Sequence, residues 1–441
     1  MSETFPRTDP WVAPQSLSDL ASDVRRALGD HPAAALVADC LTNTWTTTMR
    51  WSSHGDGDVF VATGDIDAMW LRDSTAQVRP YLAVAGADEQ VADALAGVSR
   101  RQVRCVLTDP YANAFNDGPN GRHGDEDVPE PGPWVWERKY EVDSLAAVLQ
   151  LAYALWRATG RTDHLGPEFG EAARTIIGLW RLEQQHGSSS YRFTRFGMWA
   201  HDSLPDEGRG APVGFTSMTW SAFRPSDDRC EHHYLVPSNA LASVALNGLA
   251  ELARTVLDDE MLATNSERLA DEIDAGIRAR GTGGDIFAYE VDGLGHKLVA
   301  DDANLPSLLS LPFVGWCAAD DPRYLATRAA VLSERNPWYF SGKHASGIGS
   351  AHTPAEHVWP LAIAAAGLTA ADPQEQTAAL ELLATTTGGT GLMHESFHVD
   401  DPGNFTRAWF GWANAMFAEL AMAVTGTRLT DLFPRRAEAR R

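Results

Sequence analysis

Residues 391–402 read GLMHESFHVDDP. Within them, His394-Glu395-Ser396-Phe397-His398 spells H-E-x-x-H, the pattern of a zinc-protease helix. That chemistry needs a continuous helix, because helical spacing brings two His residues one turn apart onto one metal, with the Glu as base. Here the run follows Thr386-Thr387-Gly388-Gly389-Thr390-Gly391 and is followed at once by Asp400-Asp401-Pro402-Gly403. Breakers this close on both sides leave little room for a motif helix. Glu419, downstream, is the residue that would have to supply a third metal ligand. A loop is the better reading, no metal or other cofactor is expected, and a zinc peptidase is kept as the lesser alternative.

Outward from this run, the dominant period is helical. Apolar residues recur at three-to-four spacing over Ser18–Leu28, Ala33–Met49, Asp73–Ala85, Asp88–Leu107, Glu141–Ala158 and Pro167–Gln185. The pattern returns over Pro237–Leu257, Asn265–Ile277, Arg323–Ser333, Pro354–Gly367, Gln374–Leu383 and Gly403–Thr425. These segments are rich in alanine and leucine, the strongest helix formers. Strand-like stretches are few: Gly57–Ala62, Tyr191–Phe196 and the turn-flanked Asp285–His296. Long loops dense in Trp, Gly, Pro, Asp and Arg separate the helices at Trp51–Asp73, Tyr111–Lys139, His186–Pro237, Glu334–Thr353 and Thr386–Asn404. Loops of this length are uncommon in a compact domain unless they are functional. Roughly a dozen helices with such loops predict an all-α fold, an (α/α)6 barrel of helical hairpins with the loops gathered at one mouth. Composition nowhere shifts enough to mark a linker, so residues 1–441 are read as one catalytic domain.

Composition narrows the function further. The chain of 441 residues is 44% hydrophobic and 22% charged, as in ordinary globular proteins. A net charge of −23 argues against nucleic acid or an anionic membrane as partner. No apolar run is long enough to span a bilayer. The start, MSETFPRTDPWVAPQ, has no basic n-region or apolar h-region, so a cytoplasmic enzyme is expected. Cys40, Cys105, Cys230 and Cys317 are scattered, without a C-x-x-C pair, and are read as inert thiols. Oligomeric state is not encoded legibly. Fifteen Trp is the unusual count. Flat apolar rings carrying one N–H suit stacking against sugar faces.

Four loop segments combine acids with aromatics and often arginine near a helix start. They are Thr63-Gly-Asp65-Ile-Asp67-Ala-Met-Trp70-Leu-Arg72-Asp73, Lys139-Tyr-Glu141-Val-Asp143, Phe215 to Asp228 with Trp220 and Arg224, and His394-Glu395-Ser-Phe397. Carboxylates and arginine hold hydroxyls in pairs, and aromatics cover the apolar ring face. Glycoside hydrolysis needs one protonated carboxyl for the leaving oxygen and a second, ionised one as base or nucleophile. Taken singly, Asp73, Asp227 or Asp228 could be no more than caps, and the Trp residues core.

The motifs TGDIDAMWLRDS, YEVDS, GFTSMTWSAFRPSDD, LVPSN, SGIGSAHTP, HVWP and GLMHESF together resemble glycoside hydrolase family 125, the exo-α-1,6-mannosidases, over nearly the whole chain. The resemblance implies an (α/α)6 barrel, a metal-independent mechanism and inversion at the anomeric carbon. It assigns the general base to Glu395 and the general acid to one of Asp227 and Asp228. Adjacent residues of an extended loop point opposite ways, so one of the two should face the pocket. Candidates to bind a terminal mannose are Asp65, Asp67, Arg72, Asp73, Arg224, His352 and His394, with Trp70 and Trp220 as ring contacts. The expected partner is a mannose-containing oligosaccharide. A glucosidase-type inverting enzyme on the same barrel is the alternative, since fold alone does not fix the sugar.

Overall fold

The computed structural model describes residues 11–52, 54, 57–196 and 200–436. Most of the N-terminal segment read for a leader lies outside them. Among the described residues are twelve helices of eight residues or more. In chain order they are α1 Gln15–Leu28, α2 Val37–Thr47, α3 Leu71–Val78, α4 Glu89–Thr108, α5 Val142–Thr159 and α6 Pro167–Glu183. Then follow α7 Val236–Thr255, α8 Glu260–Arg280, α9 Pro322–Val331, α10 Pro360–Leu368, α11 Pro373–Thr385 and α12 Gly411–Val424. No described helix is long and apolar enough to cross a membrane.

Burial sorts these helices into two rings. In α5 every residue from Val142 to Leu155 is buried, in α7 every residue from Val236 to Leu246, and in α12 every residue from Gly411 to Met422. A helix apolar all round belongs inside. The inner helices pack in sequence, α3 on α5 and α5 on α7, with α10 on α12 and α12 back on α3. Between α8 and α9 a run of turns, residues 303–316, takes the sixth inner place in the alternation. Its Leu308, Leu309 and Leu311 are buried, and the Asp301 carboxylate accepts the Leu308 and Leu309 N–H groups at 2.7 and 2.9 Å. Helices α2, α4, α6, α8, α9 and α11 alternate with the inner set along the chain, which gives the (α/α)6 barrel.

The two rings also begin differently. Outer helices α4, α8, α9 and α11 start at Asp88, Asp259, Asp321 and Asp372, each accepting a first-turn N–H with its side chain. Inner helices α3, α5, α7, α10 and α12 start at Trp70, Glu141, Leu235, Trp359 and Phe410 in extended backbone, with no side-chain cap. Short antiparallel sheets lead into three of them. Met69–Trp70 pairs with Ala114–Phe115, Tyr234–Leu235 with Glu290–Val291, and His357–Val358 with Ser396–His398. The long loops are thereby pinned at one end of the barrel.

Several boundaries differ from expectation. Short strands are more numerous than the sequence suggested. The segment read as one helix from Gly403 begins as a strand, Asp401–Thr406, paired with Ser396–His398, and only Gly411 starts α12. Pro360, at the first position of α10, sets that start later than Pro354. The helix expected to run to Ala85 is interrupted after Val78 by a tighter turn, Arg79–Tyr81, where Pro80 has no N–H to give, and resumes over Leu82–Ala85. Glu419, weighed as a metal ligand, instead accepts from Nε and Nη2 of buried Arg79 at 2.9 and 2.8 Å and ties the end of α3 to α12.

Candidate active site

The starts of α3, α10 and α12 surround a cavity of about 250 Å³. Trp70, Arg72 and Asp73 come from the start of α3, Trp359 from α10, and Phe410 and Trp412 from α12. Asp227, His352, Glu395 and Arg407 complete the wall from the loops.

Arg72 organises the floor. Its Nη1 donates to Glu141 Oε2 at 2.6 Å and to Asp143 Oδ2 at 2.9 Å, and Nη2 lies 3.3 Å from Asp73 Oδ2. One buried guanidinium thus holds three buried carboxyls. Burial raises Asp73 above the usual carboxylate range, against the pull of Arg72. Asp73 Oδ1 accepts the Thr63 hydroxyl at 2.9 Å.

The two adjacent aspartates face opposite ways. Arg224 N–H donates to Asp228 O at 2.7 Å and Asp227 N–H to Arg224 O at 2.9 Å, which closes a tight turn. Asp227 takes φ 66°, the left-handed region that Asp tolerates better than most side chains. Its carboxyl enters the cavity, where Oδ1 accepts Asn113 Nδ2 at 3.2 Å. Lys139 Nζ holds its main-chain oxygen at 2.8 Å. Asp228 is 1% exposed, pairs with His352 Nδ1 at 3.1 Å and faces a neighbouring cavity of about 380 Å³. That larger cavity holds only one of the expected carboxyls, so the chemistry belongs to the smaller one.

Burial and charge set the protonation here. Asp227 and Glu141 meet at the amide nitrogen of Asn113, at 3.2 and 3.3 Å. Burial drives Glu141 well above the carboxylate range, outweighing Arg72, with Asp227 and Asp143 adding to the rise. Burial acts on Asp227 too, but Lys139 and Arg72 overcome it and hold Asp227 low. His352 is pushed up to about 9. Burial opposes this, but the Asp228 hydrogen bond and the charges of Asp228, Glu395 and Asp227 prevail. It is an imidazolium at neutral pH.

Glu395 sits at the entry to the strand Ser396–His398, with Oε1 3.6 Å from Arg407 Nη1. Arg407 is itself anchored by Asp65 Oδ1, at 2.9 Å from Nε and 2.5 Å from Nη2. Four buried atoms of cavity-lining residues make no hydrogen bond within the protein: Trp70 Nε1, Arg72 Nε, Asp73 Oδ2 and Ser226 Oγ. Buried polar atoms are costly unless bonded, so a ligand rich in hydroxyls suits this cavity. Trp70, Trp359, Phe410 and Trp412 supply apolar faces beside them.

Of the residues expected from sequence, Asp227, Glu395, Trp70, Arg72, Asp73 and His352 meet at this cavity. Others do not. Trp220 is fully buried, its ring stacked with His186 at 3.6 Å and His233 at 4.6 Å, so it packs in the core and does not line the cavity. Arg224 is held by Glu290 at 2.5 Å and faces the neighbouring cavity. Asp67 is tied to Arg50 and Arg122 at 2.7 and 3.0 Å. Asp65 serves Arg407 and is not itself part of the lining. His394 stacks on Phe405 at 3.7 Å and bonds Thr390 and main-chain oxygens. Trp359, Arg407, Phe410 and Trp412 were not anticipated, although Arg407 and its aromatic neighbours precede a helix start as the anticipated clusters do.

The H-E-x-x-H string is not helical. Ser396–His398 is a strand, and four residues along extended chain span roughly 13 Å, too far for two ligands of one ion. His398 pairs with Glu356 at 3.5 Å. No group of three His, Cys, Asp or Glu among the described residues is arranged to hold a metal.

Residues 30–422 match the family model of metal-independent alpha-mannosidases, GH125. The Meiotically up-regulated gene 157 protein of Schizosaccharomyces pombe is 38% identical, over 92% of this chain and 85% of its own. A metal-independent alpha mannosidase of Streptococcus pneumoniae, solved in a non-productive complex with alpha-1,6-mannobiose, is 44% identical. It superposes with a TM-score of 0.91, over 94% of this chain and 99% of its own. A bacterial glucoamylase solved with acarbose, 14% identical and with a TM-score of 0.57, covers 91% of this chain and 56% of its own and shares the barrel alone. The chain belongs to glycoside hydrolase family 125, the metal-independent α-mannosidases.

Proposed function

We propose that this cavity takes a terminal α-1,6-linked mannose and hydrolyses its glycosidic bond in one step with inversion, Asp227 acting as general acid and Glu395 as general base. The observation that carries the reading is that these two carboxyls line one cavity together with aromatic faces and buried polar atoms that make no hydrogen bond within the protein. Asp227 protonates the leaving oxygen. Glu395 takes a proton from a water that attacks the anomeric carbon on the opposite face, so an α-mannoside yields β-mannose. His352, Arg72 and Asp73 grip the hydroxyls, and the Trp rings cover the apolar side of the sugar. The linkage assignment draws on the relative from Streptococcus pneumoniae, whose structure holds alpha-1,6-mannobiose.

Proton NMR of the protein with α-1,6-mannobiose in excess chelator tests this directly. β-Mannose should appear first, before mutarotation. α-Mannose first would overturn inversion. No hydrolysis of the mannoside but hydrolysis of an α-glucoside would replace the sugar assignment.

A further inference from the structure

Glu141 belongs to a motif that the mechanism above does not use. It is 1% exposed, lies behind the cavity wall, and starts α5 without serving as a side-chain cap. Its Oε2 accepts Arg72 Nη1 at 2.6 Å and the Ser144 hydroxyl at 2.8 Å. Its Oε1 lies 3.3 Å from Asn113 Nδ2, the same amide nitrogen that reaches Asp227 Oδ1 at 3.2 Å. One amide nitrogen therefore lies against both carboxyls, with Glu137 Oε1 as its third and shortest contact at 2.9 Å. Two buried carboxyls that meet at one amide nitrogen raise the cost of ionising both.

We infer that Glu141 is the positioning partner of the acid, sharing a single proton with Asp227 so that the proton stands behind the leaving oxygen at neutral pH. The inference rests on Asp227 being the general acid. Arg72 from α3 and Lys139 from the loop before α5 favour ionised carboxyls, as does His352 from the opposite loop. Asp143 on α5 and Asp73 on α3 oppose a second negative charge. Asp227 alone, facing three cations, would stay ionised and have nothing to donate. With Glu141 beside it, one proton remains on the pair and passes to Asp227. As the O–H bond on Asp227 breaks, a new one forms on the leaving oxygen, which keeps the electron pair of the broken C–O bond. The water oxygen bonds to the anomeric carbon and gives its proton to Glu395. Solvent then returns a proton to the pair and removes one from Glu395.

The test compares two substrates in the Glu141→Gln enzyme. α-1,6-Mannobiose needs a protonated leaving oxygen, whereas dinitrophenyl α-mannoside has a leaving group that does not. Glutamine keeps the shape but donates a fixed N–H to Asp227. The expected result is a loss of roughly 10²–10⁴-fold on mannobiose and under about tenfold on the aryl mannoside. The alkaline limb of kcat/KM for mannobiose should move to lower pH. Glu141→Asp, which restores a proton-bearing group at a stretched distance, should give an intermediate, mannobiose-selective loss, and it carries the test if the glutamine variant does not fold. Unchanged rates and an unchanged alkaline limb would overturn the inference. So would equal losses on both substrates in both variants, which would make Glu141 a purely structural support. Asp227→Asn is the control. If it lacks the leaving-group selectivity, the assignment of the acid fails; if it shows it and both Glu141 variants do not, only the shared proton fails.

Discussion

Glu395→Gln isolates the proposed base, because the exchange changes charge and proton affinity but hardly any volume. The carboxylate comes within 3.6 Å of Arg407, beyond hydrogen-bond length, and Arg407 keeps two donor contacts to Asp65. No buried charge is therefore left alone, and stability should shift by about 1 kcal/mol or less. The rate should not be spared. Losing a positioned general base costs about 10²–10⁴-fold, or about 2.7–5.4 kcal/mol of barrier. Mannobiose turnover followed by anomer-resolved NMR gives the rate, and calorimetry with mannose gives binding, which should be largely retained. Added azide needs no deprotonation, so it should restore turnover and yield β-mannosyl azide. A near-normal rate in the variant would remove Glu395 from the mechanism, and an α-azide product would refute inversion.

Three further outcomes are expected. Trp220→Ala empties a slot beside two imidazoles and should cost about 3–5 kcal/mol, read as a fall in melting temperature, with KM unchanged in the folded fraction; a raised KM at unchanged stability would restore Trp220 as a sugar contact. Arg72→Met leaves Glu141 and Asp143 buried without their cation and should destabilise by about 3–5 kcal/mol in a urea titration. His352 has a folded-state value near 9, above the ordinary value of about 6.5. Its contribution to stability is thus full below about pH 6.5 and is lost as pH rises through 9. Side-chain exposure of 33% keeps that contribution small, and His352→Asn should flatten the urea midpoint over this range.

The helical period carried most of the architecture, because an inner helix of a barrel is apolar on every face and an outer one on a single face. Where the reading slipped, the deciding contact was remote. Nothing near Trp220 reveals that His186 and His233 stack on its ring. Asp401–Thr406 is a strand because Ser396–His398 pairs with it across the two-residue turn Val399-Asp400, and Pro402-Gly403 lies inside that strand. The choice between Asp227 and Asp228 depends on one left-handed residue, which no pattern of side chains specifies. The acids of the first cluster look alike on paper, yet Asp73 reaches the cavity while Asp67 is consumed by Arg50 and Arg122.

The difference between the two rings of helix starts has an electrostatic consequence. Each helix carries a partial positive charge at its N-terminus, from N–H groups that nothing in the helix accepts. Aspartates neutralise that charge at four outer starts, whereas the inner starts at Trp70, Glu141, Trp359 and Phe410 bring no side-chain cap. The macrodipoles of α3, α5, α10 and α12 therefore converge on the cup with their positive ends toward it. In α3 and α5 the acids of the first turn, Asp73 and Asp143, lie at those positive ends. Helix dipoles of this sense favour negative charge where Asp73, Asp227 and Glu395 crowd one small cavity.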